Sequence, residues 1–213
     1  MSESKKRGRP SAKASTQVYE SLLQAAESCL KDKPYRAVTV REIAAQADTN
    51  PAMINYYFNT KEGLFIALVE FLFSEWDKCL DQLVAQIPEI TEAPTKQFIQ
   101  AVDQCFYAHA PILRLLTTEL SRKESGIQSA YQQRLASRSV KAIGRFLKAA
   151  RAQGFYQREG DLHYLAFSVA TLCTHPTSIK PKIMKLAYNI DTDDLRTEAW
   201  LAYLEDNINR LLS

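Results

Sequence analysis

Apolar positions recur along this chain at three- and four-residue intervals. No segment alternates apolar and polar residues between turn clusters, so the pattern predicts helices throughout and no sheet. The first predicted helix, roughly 15–32, carries Val18, Leu22, Ala25, Ala26 and Cys29 on one stripe and stops at Lys31-Asp32-Lys33-Pro34. Thr39-Val40-Arg41-Glu42 opens a second as a capping box, in which the Thr side chain and the Glu three residues on satisfy free backbone amides. Its apolar positions are Val40, Ile43, Ala44 and Ala47. Asp48-Thr49 makes a short turn, and Asn50-Pro51 reads as an N-cap followed by proline at the first helical position. A short third helix reaches Phe58, Asn59-Thr60 punctuates, and a long helix is predicted from Lys61 to about Gln86, where Ile87-Pro88 ends it. Further helices fit 95–108, 111–122, 128–152, 160–174 and 194–212, with breaks at Pro111, Gly126, Gly154, Gly160 and Pro176. The 175–193 stretch is a longer connection with a turn of helix around Ile183 to Leu186.

Composition narrows the class. With 213 residues, 46% hydrophobic and 24% charged, the chain holds enough apolar mass for a core in one large or two small domains, which excludes global disorder. The net charge of +3 is unevenly placed. Residues 1–61 hold ten Lys/Arg against six Asp/Glu, and residues 62–213 seventeen against eighteen, so a polyanion partner is expected at the N-terminus only. Leu162 to Ile179 is eighteen residues without Asp, Glu, Lys or Arg, the length of a short membrane span. It also contains His163, Ser168, Thr171, Thr174, His175 and Pro176, so a helix buried on both sides is the better account and no membrane association is expected. Cys29, Cys79, Cys105 and Cys173 lack any short ligand spacing and the opening MSESKKRGRPS is not apolar; reduced thiols in a cytoplasmic protein follow. No Gly-rich phosphate loop, HExxH, GxSxG or close Cys/His pair occurs, so neither catalysis, a metal nor a cofactor is expected; His109 and His163 with a neighbouring carboxylate are too little to carry either.

Residues 39–58 place two short helices around a turn of two or three residues. This is the spacing of a helix-turn-helix, although helical hairpins of other kinds share it. The string Thr-Val-Arg-Glu-Ile-Ala-Ala-Gln-Ala, followed by Asn-Pro-Ala-Met-Ile-Asn-Tyr-Tyr-Phe-Asn-Thr-Lys-Glu-Gly-Leu-Phe, closely resembles the N-terminal DNA-binding region of TetR-type transcriptional regulators. The resemblance covers residues 15 to about 70 and is most specific over 39–65.

It implies an all-α fold: a basic flexible arm over 1–14, a three-helix helix-turn-helix DNA-binding domain over 15–61, and a helical effector-binding and dimerisation domain over 62–213. The DNA-contacting set it implies is Thr39, Arg41, Asn50, Pro51, Ala52, Met53, Asn55, Tyr56, Tyr57 and Lys61. Thr39 would cap its helix and meet a phosphate, and Arg41 would reach a base or phosphate. Pro51, Ala52, Met53 and Asn55 would face outward while Ile54 and Phe58 point to the core. Asn pairs bidentately with adenine, and Met53 suits a thymine methyl. Tyr56 and Tyr57 are of the type that hydrogen-bonds phosphates, with packing the alternative for one of them. Lys61 resembles the family's backbone-contacting lysine, at a helix end whose dipole favours phosphate.

Three positions depart from the family pattern. Asp48 stands where Gly is usual, Thr49 replaces an apolar residue, and Asn55 replaces a commoner Tyr, so base preference is not inherited. Asp tolerates the left-handed conformation that such a turn needs. In the Lys5-Lys6-Arg7-Gly8-Arg9-Pro10 segment, Arg7 and Arg9 suit an A·T-rich minor groove, the alternative being a non-specific solubilising start.

Towards the C-terminus two predicted helices are apolar on more than one face. The resemblance assigns Tyr164, Phe167, Thr171, Trp200, Tyr203 and Leu204 to a homodimer interface. It assigns Phe73, Trp76, Phe106, His109 and Phe167 to a small-molecule effector pocket, with Arg114, Glu119 and His175 as further polar liners or, alternatively, surface and capping groups. The function implied is a repressor that binds a near-palindromic double-stranded operator as a homodimer and responds to a small effector, whose preference for one spacing of the two DNA-binding domains would be transmitted through the long helix. The competing reading is a helical adaptor whose basic tail binds nucleic acid without sequence preference.

Overall fold

The computed structural model describes residues 12–213, with side chains from Ser15 onward; the expected basic arm, with Arg7 and Arg9, lies outside the described residues. All regular elements among the described residues are helical. The chain divides into two units, one ending at Leu68 and one running from Val69 to Ser213.

In the first unit, α1 (Ala12–Asp32) buries Leu22, Leu23, Ala25 and Ala26 along the stripe its spacing marks out. A 3₁₀ turn at Tyr35–Ala37 follows Pro34 and leads into buried Val38. Then comes α2 (Val40–Gln46), which begins on the full capping box: the Thr39 hydroxyl accepts from the Glu42 amide at 3.2 Å and the Glu42 carboxylate accepts from the Thr39 amide at 2.9 Å. Asp48 makes the turn at φ 47°, in the left-handed region. In α3 (Ala52–Phe58) Ile54 and Phe58 are buried. Asn50 caps this helix by accepting the Ala52 amide on Oδ1 at 2.8 Å, with Pro51 already helical at φ −49° and ψ −30°. The long helix α4 (Lys61–Gln86) has the bounds its pattern predicts. Its first turns belong to this unit, where buried Phe65 meets the Tyr35 ring edge-on with centroids 4.9 Å apart.

The second unit comprises the rest of α4, α5 (Thr95–Val102), α6 (Ala110–Leu120), α7 (Gly126–Ala130), α8 (Arg138–Ala152), α9 (Leu162–Ser178), α10 (Pro181–Tyr188) and α11 (Glu198–Leu212). Its core is aromatic. Phe98 stacks on Phe146 at 4.9 Å, and Trp76 lies against Phe106 at 4.6 Å and edge-on to Phe98 at 5.9 Å. Beside it, Thr95 Oγ1 is 2.9 Å from the Tyr156 hydroxyl and also meets Asn209, which fastens α11 to α5. Carboxylates of α4 pair with arginines that follow α7: Glu70 with Arg134, Asp77 with Arg138 and Asp81 with Arg145. These pairs are partly solvated and contribute at most about 1 kcal/mol each. Among the described residues no helix is long and apolar enough to cross a membrane.

The structure departs from the sequence pattern at four places. The single helix expected over 128–152 is broken, because a wide π-helical turn at Tyr131–Leu135 runs into left-handed Ser137 at φ 65°. The apolar spacing is helical on both sides and contains no proline to mark the break. Ion pairing of Arg134 and Arg138 with α4 accompanies it. A second π-helical turn, Asp103–Tyr107, interrupts the predicted 95–108 helix. Pro176 does not end α9, which continues to Ser178. The proline removes only one amide, and the side chains of Thr177 and Ser178 donate to the Thr174 and His175 carbonyls at 2.8 and 2.7 Å. The connection after it folds further than one turn into α10, which leaves Ile183, Leu186 and Tyr188 exposed.

Candidate nucleic-acid interface and ligand cavity

The helical period of α3 sorts its residues cleanly. Ile54 and Phe58 are inside, Met53 and Tyr57 are half-buried, and Pro51, Ala52, Asn55 and Tyr56 are exposed. Arg41 stands exposed in the first turn of α2, and Thr39 and Asn50 are exposed at the two caps. Arg41 of α2 and Asn55 and Tyr56 of α3 are thus open to solvent, and the two caps hold the backbone of the helices that carry them.

The two tyrosines divide as the sequence left open. Tyr56 is 65% exposed. The Tyr57 hydroxyl is instead 2.9 Å from Ser15 Oγ, and its ring lies edge-on to Tyr19 at 6.0 Å, so it seats α3 on α1. The Lys61 ammonium donates to the Val38 carbonyl at 2.8 Å and the Tyr35 carbonyl at 3.1 Å and lies 4.6 Å from the Tyr35 ring centre. Two of its three donors hold the connection into α2 in place. Glu42 carries the strongest electrostatic signature here. The Lys33 ammonium, then the Thr39 amide and hydroxyl, hold its carboxyl down to about 2.

Sequence reasoning passed over Gly63. Asn59 sits at φ 61° and ψ −40°, and the Thr60 amide donates back to the Phe58 carbonyl at 2.7 Å, a γ-turn of the rarer hand that joins α3 to α4. The Gly63 amide is capped by Thr60 Oγ1 at 2.9 Å, and a Cβ on Gly63 would fall inside the Phe58 carbonyl oxygen. The available signal was an isolated glycine in a helical pattern.

In the second unit a cavity of about 320 Å³ lies between the α4 segment, α6, α8 and α9; its lining includes Phe73, Phe106, Leu116, Tyr131, Phe167 and His175. Phe73 and Tyr131 meet edge-on at 5.8 Å across it. Trp76 and His109, expected in this pocket, do not line it. Trp76 is fully buried behind Phe106, its Nε1–H without an acceptor, and His109 sits at the N-terminus of α6. Arg114 donates to the Thr177 carbonyl at 3.5 Å, and Glu119 is buried where it accepts from Ser125 at 2.9 Å. Neither lines the cavity.

A second hollow of about 400 Å³ runs between α9 and α11, lined by Phe167, Ser168, Thr171, Leu172, His175, Pro176 and Trp200. Around it Tyr164, Phe167 and Tyr203 are 70%, 58% and 59% exposed. Leu204, expected on this face, is 1% exposed and belongs to the core, while Trp200 is half-buried and donates its indole N–H to the Tyr107 hydroxyl at 3.2 Å. Phe167, Thr171 and His175 line both hollows.

A capped helix, a left-handed turn and a second helix with an exposed polar face define a helix-turn-helix DNA-binding unit. Residues 22–68 match the family of bacterial regulatory proteins, tetR family. The HTH-type transcriptional repressor NicS of Pseudomonas putida is 22% identical over 191 residues, 88% of this chain and 88% of that one. A TetR-family transcriptional regulator from Rhodococcus sp. superposes with a TM-score of 0.69 at 16% identity over 93% of this chain and 100% of that chain. FadR of Bacillus subtilis, solved in complex with stearoyl-CoA, superposes with a TM-score of 0.62 at 16% identity, covering 92% of this chain and 98% of its own. Residues 22–68 therefore carry a DNA-binding region like that of the tetR family of bacterial regulatory proteins, and the described residues share the helical fold of these TetR-family structures.

Proposed function

We propose that this chain is a ligand-responsive repressor that binds a near-palindromic operator as a homodimer. The observation that carries the reading is that Arg41, Asn55 and Tyr56 are all exposed on a capped α2–α3 pair. Asn55 is the base reader, suited to adenine N6 and N7, and Arg41 with Tyr56 reaches base or phosphate. Tyr57 acts one step back by fixing the helix that carries Asn55, and Lys61 by holding the connection into α2.

The exposed aromatic face of Tyr164, Phe167 and Tyr203 supports pairing with a second copy, since a patch of that kind is costly to leave in water. The cavity lined by Phe73, Phe106 and Tyr131 is the effector site. No Asp, Glu, Lys or Arg lines it. The Thr117, Thr171, Thr174 and Ser178 hydroxyls there donate their protons to the Arg114, Phe167, Ala170 and His175 carbonyls at 2.7–3.1 Å, which leaves oxygen lone pairs as their free function. An uncharged, largely apolar effector bearing a hydrogen-bond donor matches that lining. An effector favouring one arrangement of the dimer would shift operator affinity only by its differential affinity for the two states.

The test is binding to the duplex upstream of the chain's own gene against a scrambled duplex across a salt series. The reading predicts a preference of roughly a thousandfold or more, with two protomers per site. Arg41→Ala and Asn55→Ala should each cost about 1–3 kcal/mol of specific binding. Equal, steeply salt-dependent binding to both duplexes, unaffected by those substitutions, would favour the non-specific adaptor instead.

A further inference from the structure

We propose that Cys79 and Cys105 form a redox couple: a dithiol that organic hydroperoxides convert to an intramolecular disulfide and that small thiols reopen. The two residues lie 26 positions apart in sequence, yet the Cys105 thiol donates to Cys79 Sγ at 3.5 Å. Cys79 is on α4 and half-buried, within reach of a small oxidant; Cys105 is in the Asp103–Tyr107 turn and only 4% exposed. The other two thiols have no such neighbour: Cys29 donates to Gln46, and Cys173 is buried in the core.

The asymmetry in access assigns the roles. Cys79 reacts first: its sulfur bonds to the outer hydroperoxide oxygen, the O–O bond breaks, and the thiol proton leaves with the departing alkoxide as an alcohol. The product is a sulfenic acid. Cys105 then attacks that sulfur; the S–S bond forms, the S–O bond breaks, and hydroxide departs with the Cys105 proton as water. Two thiols lose two electrons, and the hydroperoxide is reduced to alcohol and water. Burial, and next the bond to Cys79, push the Cys105 thiol up to about 12, so it does not compete for the oxidant and gives up its proton only as it attacks.

Closing the bridge requires the sulfurs to approach to about 2.0 Å. The slack lies in the turn itself, a five-residue π-helical widening in which the Ala108 amide reaches back to the Asp103 carbonyl at 2.9 Å. Phe106, next to Cys105, lines the cavity and packs on Trp76, one turn before Cys79. The bridge would therefore fasten the cavity wall to α4.

The full-length protein, reduced and freed of reductant, is treated with one equivalent of tert-butyl hydroperoxide, then unfolded in guanidinium chloride, alkylated with iodoacetamide so that buried thiols also react, and mapped by mass spectrometry without reduction. The expected result is loss of two of the four alkylatable thiols, a linked peptide pair containing Cys79 and Cys105, and full recovery with dithiothreitol. Cys105→Ser should trap the Cys79 sulfenic acid as its dimedone adduct and yield no linked pair. Oxidation of Cys79 to sulfinic acid in the wild-type chain, a bridge that includes Cys29, a bridge between two chains, or four thiols still alkylatable would each overturn the proposal.

Discussion

Replacing Gly63 with alanine puts a methyl group where the Phe58 carbonyl oxygen already stands. The built Cβ lies deep inside that oxygen's contact distance and also meets the Phe58 carbonyl carbon at 3.3 Å and Thr60 Oγ1 at 3.4 Å. The nearest obstacle is backbone and cannot rotate aside as a side chain would. Phe58 closes α3 and is itself buried, so relief requires the end of α3 to retreat from α4. Overpacking against a backbone atom lies at the upper end of the usual range, about 2–3 kcal/mol, against which alanine's better helix propensity returns about 1 kcal/mol. A net loss of about 1–2 kcal/mol follows, which would lower the melting temperature of a small unit by roughly 4–16 °C. Operator binding should suffer as well as stability, since the base hydrogen bonds proposed for Asn55 would tolerate only a few tenths of an ångström. Losing one bidentate contact costs about 1–3 kcal/mol, or roughly 5- to 150-fold in affinity. Gly144→Ala is the matched control, also mid-helix but with nothing within 4 Å of its Cβ, and should stabilise by about 0.5–1 kcal/mol with operator binding unchanged. Calorimetry and fluorescence anisotropy on both variants decide the matter. If Gly63→Ala melts no lower than wild type and binds operator equally, the close approach of α3 to α4 is not a constraint and the reasoning fails.

The folded-state pKa of Glu42 is depressed, so its contribution is present above the usual carboxylate range and is lost as pH falls towards about 2. Acid unfolding of the first unit, followed by circular dichroism, should flatten over that window in Glu42→Gln. Asp48 holds φ 47° with a Cβ attached, so Asp48→Gly should stabilise by about 0.5–1 kcal/mol while Asp48→Val destabilises by at least as much, as read from urea midpoints. Tyr164→Glu combined with Tyr203→Glu should shift the sedimentation coefficient from dimer to monomer with helicity unchanged; an intact dimer would move the interface elsewhere.

What was legible in the sequence was local. The Thr39–Glu42 box, the Asn50 cap and the bounds of α4 are set by residues within four positions of one another, and all appear as read. Asp48 takes the left-handed conformation inferred from its turn. What stayed hidden depends on distant partners. Tyr57 turns inward because Ser15 lies 42 residues away in sequence and beside it in space, and the Ser137 break sits among arginines that meet carboxylates more than sixty positions earlier. Leu204 fits either stripe of its helix by period alone, and only the packed core decides that it is inside. The π-helical turns add one residue to a turn without altering composition, so no pattern announces them.

The chain has two tryptophans, and their surroundings give them separate optical duties. Trp76 is sealed in the core with its ring against Phe106, a wall of the cavity, whereas half-buried Trp200 lines the hollow between α9 and α11. A sealed indole emits at shorter wavelength and escapes aqueous quenchers, and a half-open one does neither. An occupant of the cavity would alter the blue component through Phe106, while a second copy settling over α9 and α11 would shield the red component from iodide. One emission spectrum, taken with and without quencher, thus separates ligand entry from self-association in the unlabelled protein.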